Sequence, residues 1–310
     1  MKNSTEAHFR QRLVKYALKN GITKAAIRYR VSRKTVHKWL KRWDGTVASL
    51  MDRSHRPHTM PNAHSEAELR SITKRLKRHG WKDQILVYQE MREREGYTRS
   101  YGGFKRVARR IIKENIKVKK PKKRKNKPYQ AATFPGEKVQ IDVKFVPKEC
   151  VTDGQKYYQF TAVDEYSRWT FRYMYDEKST YSSRDFVLRL IKAFPYKIKR
   201  MQTDNGTEFT KQLLVHSTPQ DKTLFELELE KNGIVYQRIK IATPRHNGKV
   251  ERQHRIDGER FYSKLRMYSL DDGRRQLAVY QQKSNTYIKE CLGLKSPNEV
   301  LAEYRQMQSK

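Results

Sequence analysis

The chain has 310 residues, 36% of them hydrophobic, with 69 Lys plus Arg against 33 Asp plus Glu, a formal net charge of +36. Self-repulsion on that scale is offset when a polyanion lies against the protein, so nucleic acid is the expected partner. An anionic membrane surface is disfavoured, because no basic amphipathic stretch has an apolar face that is not better read as core.

Two cysteines without CxxC spacing argue against a disulfide framework or a zinc site. The opening MKNSTEAHFR has no apolar signal region and no 18 apolar residues run together, so a cytoplasmic protein is expected. The charge is uneven. Residues 1–130 hold 37 basic and 10 acidic side chains, residues 131–310 hold 32 and 23. The front part therefore reads as the DNA-gripping region.

Residues 1–50 read as three short helices, a helix-turn-helix domain. Phe9, Leu13, Val14, Ala17 and Leu18 have helical spacing over Ala7 to Lys19, and Asn20-Gly21 stops that helix. Thr23 can cap a second helix and Ser32 a third, Arg33 to Trp43. Its Val36, Trp39 and Leu40 face inward, leaving Arg33, Lys34, His37, Lys38 and Lys41 to meet double-stranded DNA. Residues 51–64 read as a linker.

A second helix-turn-helix-like domain is expected over 65–116, with helices Ser65–Arg78, Lys82–Glu95 and Ser100–Ile112. Ser32, Val36, Lys38 and Arg42 match Ser100, Phe104, Arg106 and Arg110 at an offset of 68 residues. The expected DNA contacts here are Arg99, Tyr101, Lys105, Arg106 and Arg109. Residues 117–133 form a basic linker whose Lys119, Lys120, Lys122, Lys123, Arg124 and Lys125 would touch phosphates.

From 134 the pattern turns to strands. Val139, Ile141, Val143 and Phe145 alternate with Gln140, Asp142 and Lys144. Two more strands, Tyr157–Val163 and Trp169–Tyr175, follow around a turn. Then come a helix Ser182–Phe194, a strand Ile198–Thr203 running into Asp204-Asn205-Gly206, a helix Leu224–Asn232, a strand Ile234–Ile239 and a helix from Gly248 to about Arg266. This order predicts an α/β core over 134–268, a mixed five-stranded sheet with helices on its faces. A C-terminal helical extension over 269–310 is expected to place Leu277, Tyr280, Ser284, Tyr287, Ile288 and Cys291 on one face.

Three acids carry the chemistry. Asp142 sits mid-strand on the face opposite the Val/Ile/Phe face, where an unpartnered buried charge is costly. Asp204 follows a strand directly, and strand ends are where open α/β sheets hold ligands. Taken alone, Asp204-Asn205-Gly206 is turn chemistry, and Glu251 is a helix residue that could pair with Arg255. Together, a strand, a strand end and a helix can bring the three to one place. Oxygen ligands without Cys or His select a hard ion, Mg²⁺ or Mn²⁺. Two such ions about 3.5–4 Å apart can activate a water or 3′-hydroxyl and stabilise the leaving oxygen of a phosphodiester.

The segments VQIDV (139–143), QTDNGTEF (202–209) and TPRHNGKVERQHR (243–255) resemble the catalytic core of bacterial insertion-sequence transposases, relatives of retroviral integrase. The resemblance extends to the N-terminal helices and the GTVASLMDRSHRPH stretch. It implies a ribonuclease-H-like fold, an Asp142–Asp204–Glu251 catalytic and metal-binding triad, and Lys249 and Arg252 facing DNA beside it. It further implies a homo-oligomer that brings two transposon ends together. The interval from Asp204 to Glu251 departs from the family by its length, 46 residues from Asn205 to Val250. The polar stretch Lys211 to Lys222 is the expected site of the excess. Asp164 and Glu208 read as structural acids near the site, and His246 as part of its loop. A regulator descended from a transposase and a structure-selective nuclease of the same fold are the competing functions.

Overall fold

The computed structural model describes residues 2–53, 60, 62–116, 131–211, 221–239 and 247–309. The chain divides into two compact units, Met1–Ser65 and Glu66–Lys310. Among the described residues no helix is long and apolar enough to cross a membrane.

In the first unit α1 (Lys2–Asn20), α2 (Ile22–Tyr29) and α3 (Arg33–Arg42) pack around Leu13, Val14, Ala25, Val36, Trp39 and Leu50. Helix α2 begins before the expected Thr23. Gly21 precedes it at φ 87°, a backbone conformation open mainly to glycine, and gives no side-chain cap. Ser32 does cap α3, its hydroxyl accepting from the Thr35 N–H at 3.2 Å. Arg33, Lys34, His37, Lys38 and Lys41 are all exposed, as the spacing requires.

The second unit begins with α4 (Glu66–Arg78), α5 (Gln84–Glu95) and α6 (Tyr101–Asn115) around Ile72, Leu76, Val87, Met91, Phe104 and Ile111. Ser100 caps α6 through the Gly103 N–H at 3.3 Å. Strands β1 (Val139–Phe145), β2 (Tyr158–Asp164), β3 (Thr170–Tyr175), β4 (Arg200–Thr203) and β5 (Val235–Arg238) form one sheet in the order β3-β2-β1-β4-β5. The first three strands pair antiparallel, and β4 joins β1 and β5 in parallel. This is the ribonuclease-H-like arrangement expected.

Helices α7 (Thr180–Ala193) and α8 (Leu224–Lys231) cover one face, where Ile141, Phe160, Phe186, Met201, Phe209 and Phe225 are fully buried. Helices α9 (Gly248–Arg260) and α10 (Leu270–Ser284) cover the other, over Met174, Tyr262, Met267 and Leu277.

That second face also buries charge. The Arg172 and Asp257 side chains are both 0% exposed and meet at 2.8 and 3.0 Å. Gln253, Gln159 and Tyr280 donate to the same carboxylate at 2.9–3.2 Å. Burial pushes the Asp257 carboxyl up, but Arg172 and these donors outweigh it and hold it below the ordinary range.

Two expectations about the C-terminus are corrected. Helix α9 stops at Arg260 rather than near Arg266. Helix α10 stops at Ser284, so Tyr287, Ile288 and Cys291 lie beyond it, in a turn that leads to a further helix, α11 (Pro297–Gln308). The signal for α11 is present as Ser296-Pro297-Asn298-Glu299. Ser296 and Glu299 cap each other's backbone N–H groups, with Pro297 in the first turn.

Candidate active site

The parallel register pairs Val139 with Met201 and Gln140 with Gln202. The same offset carried two residues further brings Asp142 level with Asp204. Glu251 stands in the first turn of α9, where the helix dipole favours a negative charge. Burial, then Asp204, pushes the Asp142 carboxyl up to about 7, with Glu251 adding to the effect. The three acids therefore share one electrostatic neighbourhood. They do not converge tightly: among the described residues no three His, Cys, Asp or Glu side chains form a group able to hold a metal ion.

What fixes their relative positions is polar and lies around them. Gln140, on the same strand face as Asp142, is 1% exposed. Its Oε1 accepts from the backbone N–H groups of Lys249 and Val250 at 3.1 and 3.4 Å, satisfying donors at the start of α9 that no helical carbonyl reaches. Asn247 donates from Nδ2 to the Ile141 carbonyl at 3.1 Å. Strand β1 thus holds the first turn of α9, and with it Glu251.

Three positions on, His254 returns to the same side of α9, and its Nδ1 lies 3.4 Å from Asp142 Oδ2. Burial pushes the His254 ring down to about 4, so it is uncharged at neutral pH and the contact is not an ion pair. Among the described residues its Nε2 is buried without a hydrogen-bond partner.

The Asp204 turn keeps its local chemistry as well. Asp204 Oδ1 accepts from the Gly206 N–H at 3.2 Å, and Asn205 Nδ2 donates to the Ile239 carbonyl at 3.1 Å. A Cβ at Gly206 would lie 2.5 Å from the Glu208 carboxylate, so that side chain would have to shift to admit it. Phe209 drives the end of the motif into the core at 0% exposure.

The other predicted residues divide clearly. Glu208 is buried with Lys178 Nζ 3.0 Å away. Asp164 accepts from Gly136 N–H, Ser167 N–H and the Ser167 hydroxyl at 2.6–2.9 Å, and burial pushes its carboxyl up. Lys249 Nζ sits 2.8 Å from Glu165, whereas Arg252 and Glu251 are exposed. No ion pair joins Glu251 to Arg255 among the described residues.

In the second helical group Arg99 pairs with Glu68 at 2.7 Å, and Tyr101 and Lys105 both meet Glu290. Arg106 and Arg109 are exposed. Lys119, Lys120, Lys122, Lys123, Arg124, Lys125 and His246 lie outside the described residues. Gln140, Asn247 and His254 were not singled out from sequence. The signal available for the last two was their place inside the NGKVERQHR motif.

The fold is a ribonuclease-H-like core with Asp142 on its central strand and Asp204 just past the neighbouring parallel strand. Residues 132–243 match the family model of the integrase core domain, a stretch that includes Asp142 and Asp204 and ends before Glu251. The chain is 35% identical over 122 residues to "Putative integrase ORF3" of Spiroplasma virus SpV1-C74, covering 37% of this chain and 33% of that protein. It is 30% identical over 132 residues to the retrovirus-related Pol polyprotein from transposon TNT 1-94 of Nicotiana tabacum, covering 40% of this chain and 9% of that one. The matches thus span a third or less of these relatives. The catalytic core domain of BIV integrase superposes with a TM-score of 0.41 at 19% identity, over 56% of this chain and 99% of that one.

Proposed function

We propose that this chain is a transposase that binds the terminal inverted repeats of an insertion sequence and catalyses metal-dependent DNA cleavage and strand transfer. The observation that carries the reading is the placement of Asp142 on the central strand, level with Asp204 after β4, and of Glu251 in the first turn of the helix that β1 holds. Burial, then Asp204 and Glu251, push the Asp142 carboxyl up to about 7, a repulsion that a cation would relieve. The match over 132–243 supports the integrase-like chemistry.

The all-oxygen donor set fits Mg²⁺ or Mn²⁺, and Asp142, Asp204 and Glu251 would hold the ions. Two bound ions would supply an activated water or 3′-hydroxyl and a stabilised leaving oxygen at the phosphodiester. The chain's own residues keep the acids in place: Gln140 and Asn247 fix the start of α9, and His254 presents its ring edge to Asp142. No protein nucleophile is needed.

In this reading the exposed basic face of α3 acts as a recognition helix, with α6 and the 117–133 stretch adding phosphate contacts. Two ends must be processed together, so the working form is a homo-oligomer on DNA, in the cytoplasm. The deciding test is Asp204→Asn. Specific end binding should persist while cleavage and joining in Mg²⁺ disappear. Joining at the wild-type rate would refute the triad, and a wild-type chain that binds DNA but never cuts would favour the regulator.

A further inference from the structure

The turn that leads into α5 is strained. Trp81 and Asp83 both have positive φ, 62° and 58°, a region costly for a residue with a side chain and one that aspartate tolerates better than most. Asp83 immediately precedes α5, where an aspartate ordinarily caps the helix, yet its side chain makes no cap hydrogen bond. Both of its carboxylate oxygens instead accept from the guanidinium of Arg260, the last residue of α9. The pair is largely buried, with side chains 14% and 15% exposed. Strain of this kind persists only where surrounding contacts enforce it.

A second tie joins the same two helices. Gln89 on α5 grips the turn after α10, donating to the Thr286 carbonyl at 3.3 Å and accepting from the Ile288 N–H at 3.0 Å. The next residue, Lys289, donates to the Gln253 side chain on α9 at 3.2 Å. Ile288 and Leu294 from this turn pack against the core of α4–α6. At about 100° per residue, Gln253 and Arg260 lie on one stripe of α9 and Glu251 lies on the other side. Helix α5 therefore grips α9 from behind and leaves the edge with the acid open.

Resting on the strand-transfer reading, we infer that Asp83 is a positioning residue for that reaction: through Arg260 it fixes the far end of the helix that carries Glu251. Strand β1 holds the first turn of α9, and Arg172 holds Asp257 further along it. With Arg260 released, α9 can tilt about Asp257 and carry Glu251 with it. Displacements of about 1 Å at a reacting centre can cost about 10²-fold in rate. The helices α4–α6 thus belong to the catalytic architecture, whatever else they touch.

The experiment uses the full chain. Asp83→Asn keeps the size and the tolerance of positive φ but cannot accept both prongs of Arg260. Hydrogen exchange without DNA should quicken several-fold in α9 and stay unchanged in α7. In joining of pre-cut oligonucleotide ends with Mn²⁺, well below the melting temperature, kcat should fall about tenfold with KM for the ends unchanged. Gln89→Ala, which cuts the second tie, should show the same pattern more weakly and guards against a misfolded Asp83→Asn. Arg70→Ala breaks an exposed pair within α4 and should alter neither readout. Unchanged α9 exchange in both variants, faster exchange throughout the chain, or a loss that falls on KM would overturn the inference. If α9 loosens as expected but the wild type joins no ends, the strand-transfer reading fails and the hold of α5 on α9 stands.

Discussion

Gln140 and Lys249 are 109 residues apart, yet the Gln140 side-chain oxygen accepts the Lys249 backbone N–H at 3.1 Å. The acceptor lies two residues before one proposed metal ligand and the donor two residues before another. Together with the Val250 N–H on the same oxygen and the Asn247–Ile141 bond, this contact sets the strand acid against the helix acid.

Gln140→Leu keeps the shape and removes the acceptor. The loss of a buried, hydrogen-bonded partner should cost about 1–3 kcal/mol of stability. Strand transfer should fall further than the fraction unfolded explains, because Glu251 loses its reference to Asp142. Thermal melts beside a joining assay on oligonucleotide ends will separate the two effects. Activity that simply tracks folding would show Gln140 to be only structural.

His254→Ala removes the ring beside Asp142 without altering any carboxylate. The expected outcome is a folded protein with joining reduced by about tenfold, the order that a lost contact of about 1.4 kcal/mol in the transition state gives. Steady-state joining at saturating Mn²⁺ is the measurement, and wild-type rates there would remove His254 from the site.

Mn²⁺ or Mg²⁺ should stabilise the chain. A ligand at 100 times its Kd adds about 2.7 kcal/mol to the folded state. Melting temperature should therefore climb with added ion in the wild type and stay flat in Asp142→Asn. A similar climb in both proteins would place the ion elsewhere.

Asp257→Ala strands the fully buried Arg172 guanidinium. Breaking such a pair by removing one partner costs about 3–5 kcal/mol. Replacing both, as Arg172→Met/Asp257→Leu, should be much milder. The pair also sets an acid limit. Because the folded Asp257 carboxyl is held below the ordinary value, its contribution is complete above the unfolded carboxylate pKa of 3.8. It is lost as pH falls through the lower folded value. Denaturant melts at falling pH should show wild type losing stability in this range, with the double variant losing less.

The strands and the acids were legible because their signals are local: alternation over Val139–Phe145, a turn after Thr203, a motif around Glu251. The packing of charge was not. Gln140 reads as a solvent-side residue of an alternating strand, and only the arrival of α9 buries it. Arg172 and Asp257 are 85 positions apart, and neither is distinguished from the many surface charges of so basic a chain. Arg99 and Lys105 looked available for DNA because Glu68 and Glu290, their partners, come from distant segments. Tyr287, Ile288 and Cys291 continued an apolar rhythm past the true end of α10. No local signal marked Ser284 as the last residue, since the Asn285 cap is held by a bridge from its amide to Thr170 on β3.

The anchoring of α9 also bears on the spacing of the two acids. Its first turn is tied to β1 by Gln140 and Asn247, and its last turns by Asp257 to β3. The helix is therefore held from the sheet at both of its ends. A search keyed to a fixed interval between the two acids would pass over this chain. One keyed to a glutamine two places before the strand aspartate, and to Asn-Gly ahead of the helix glutamate, would find it.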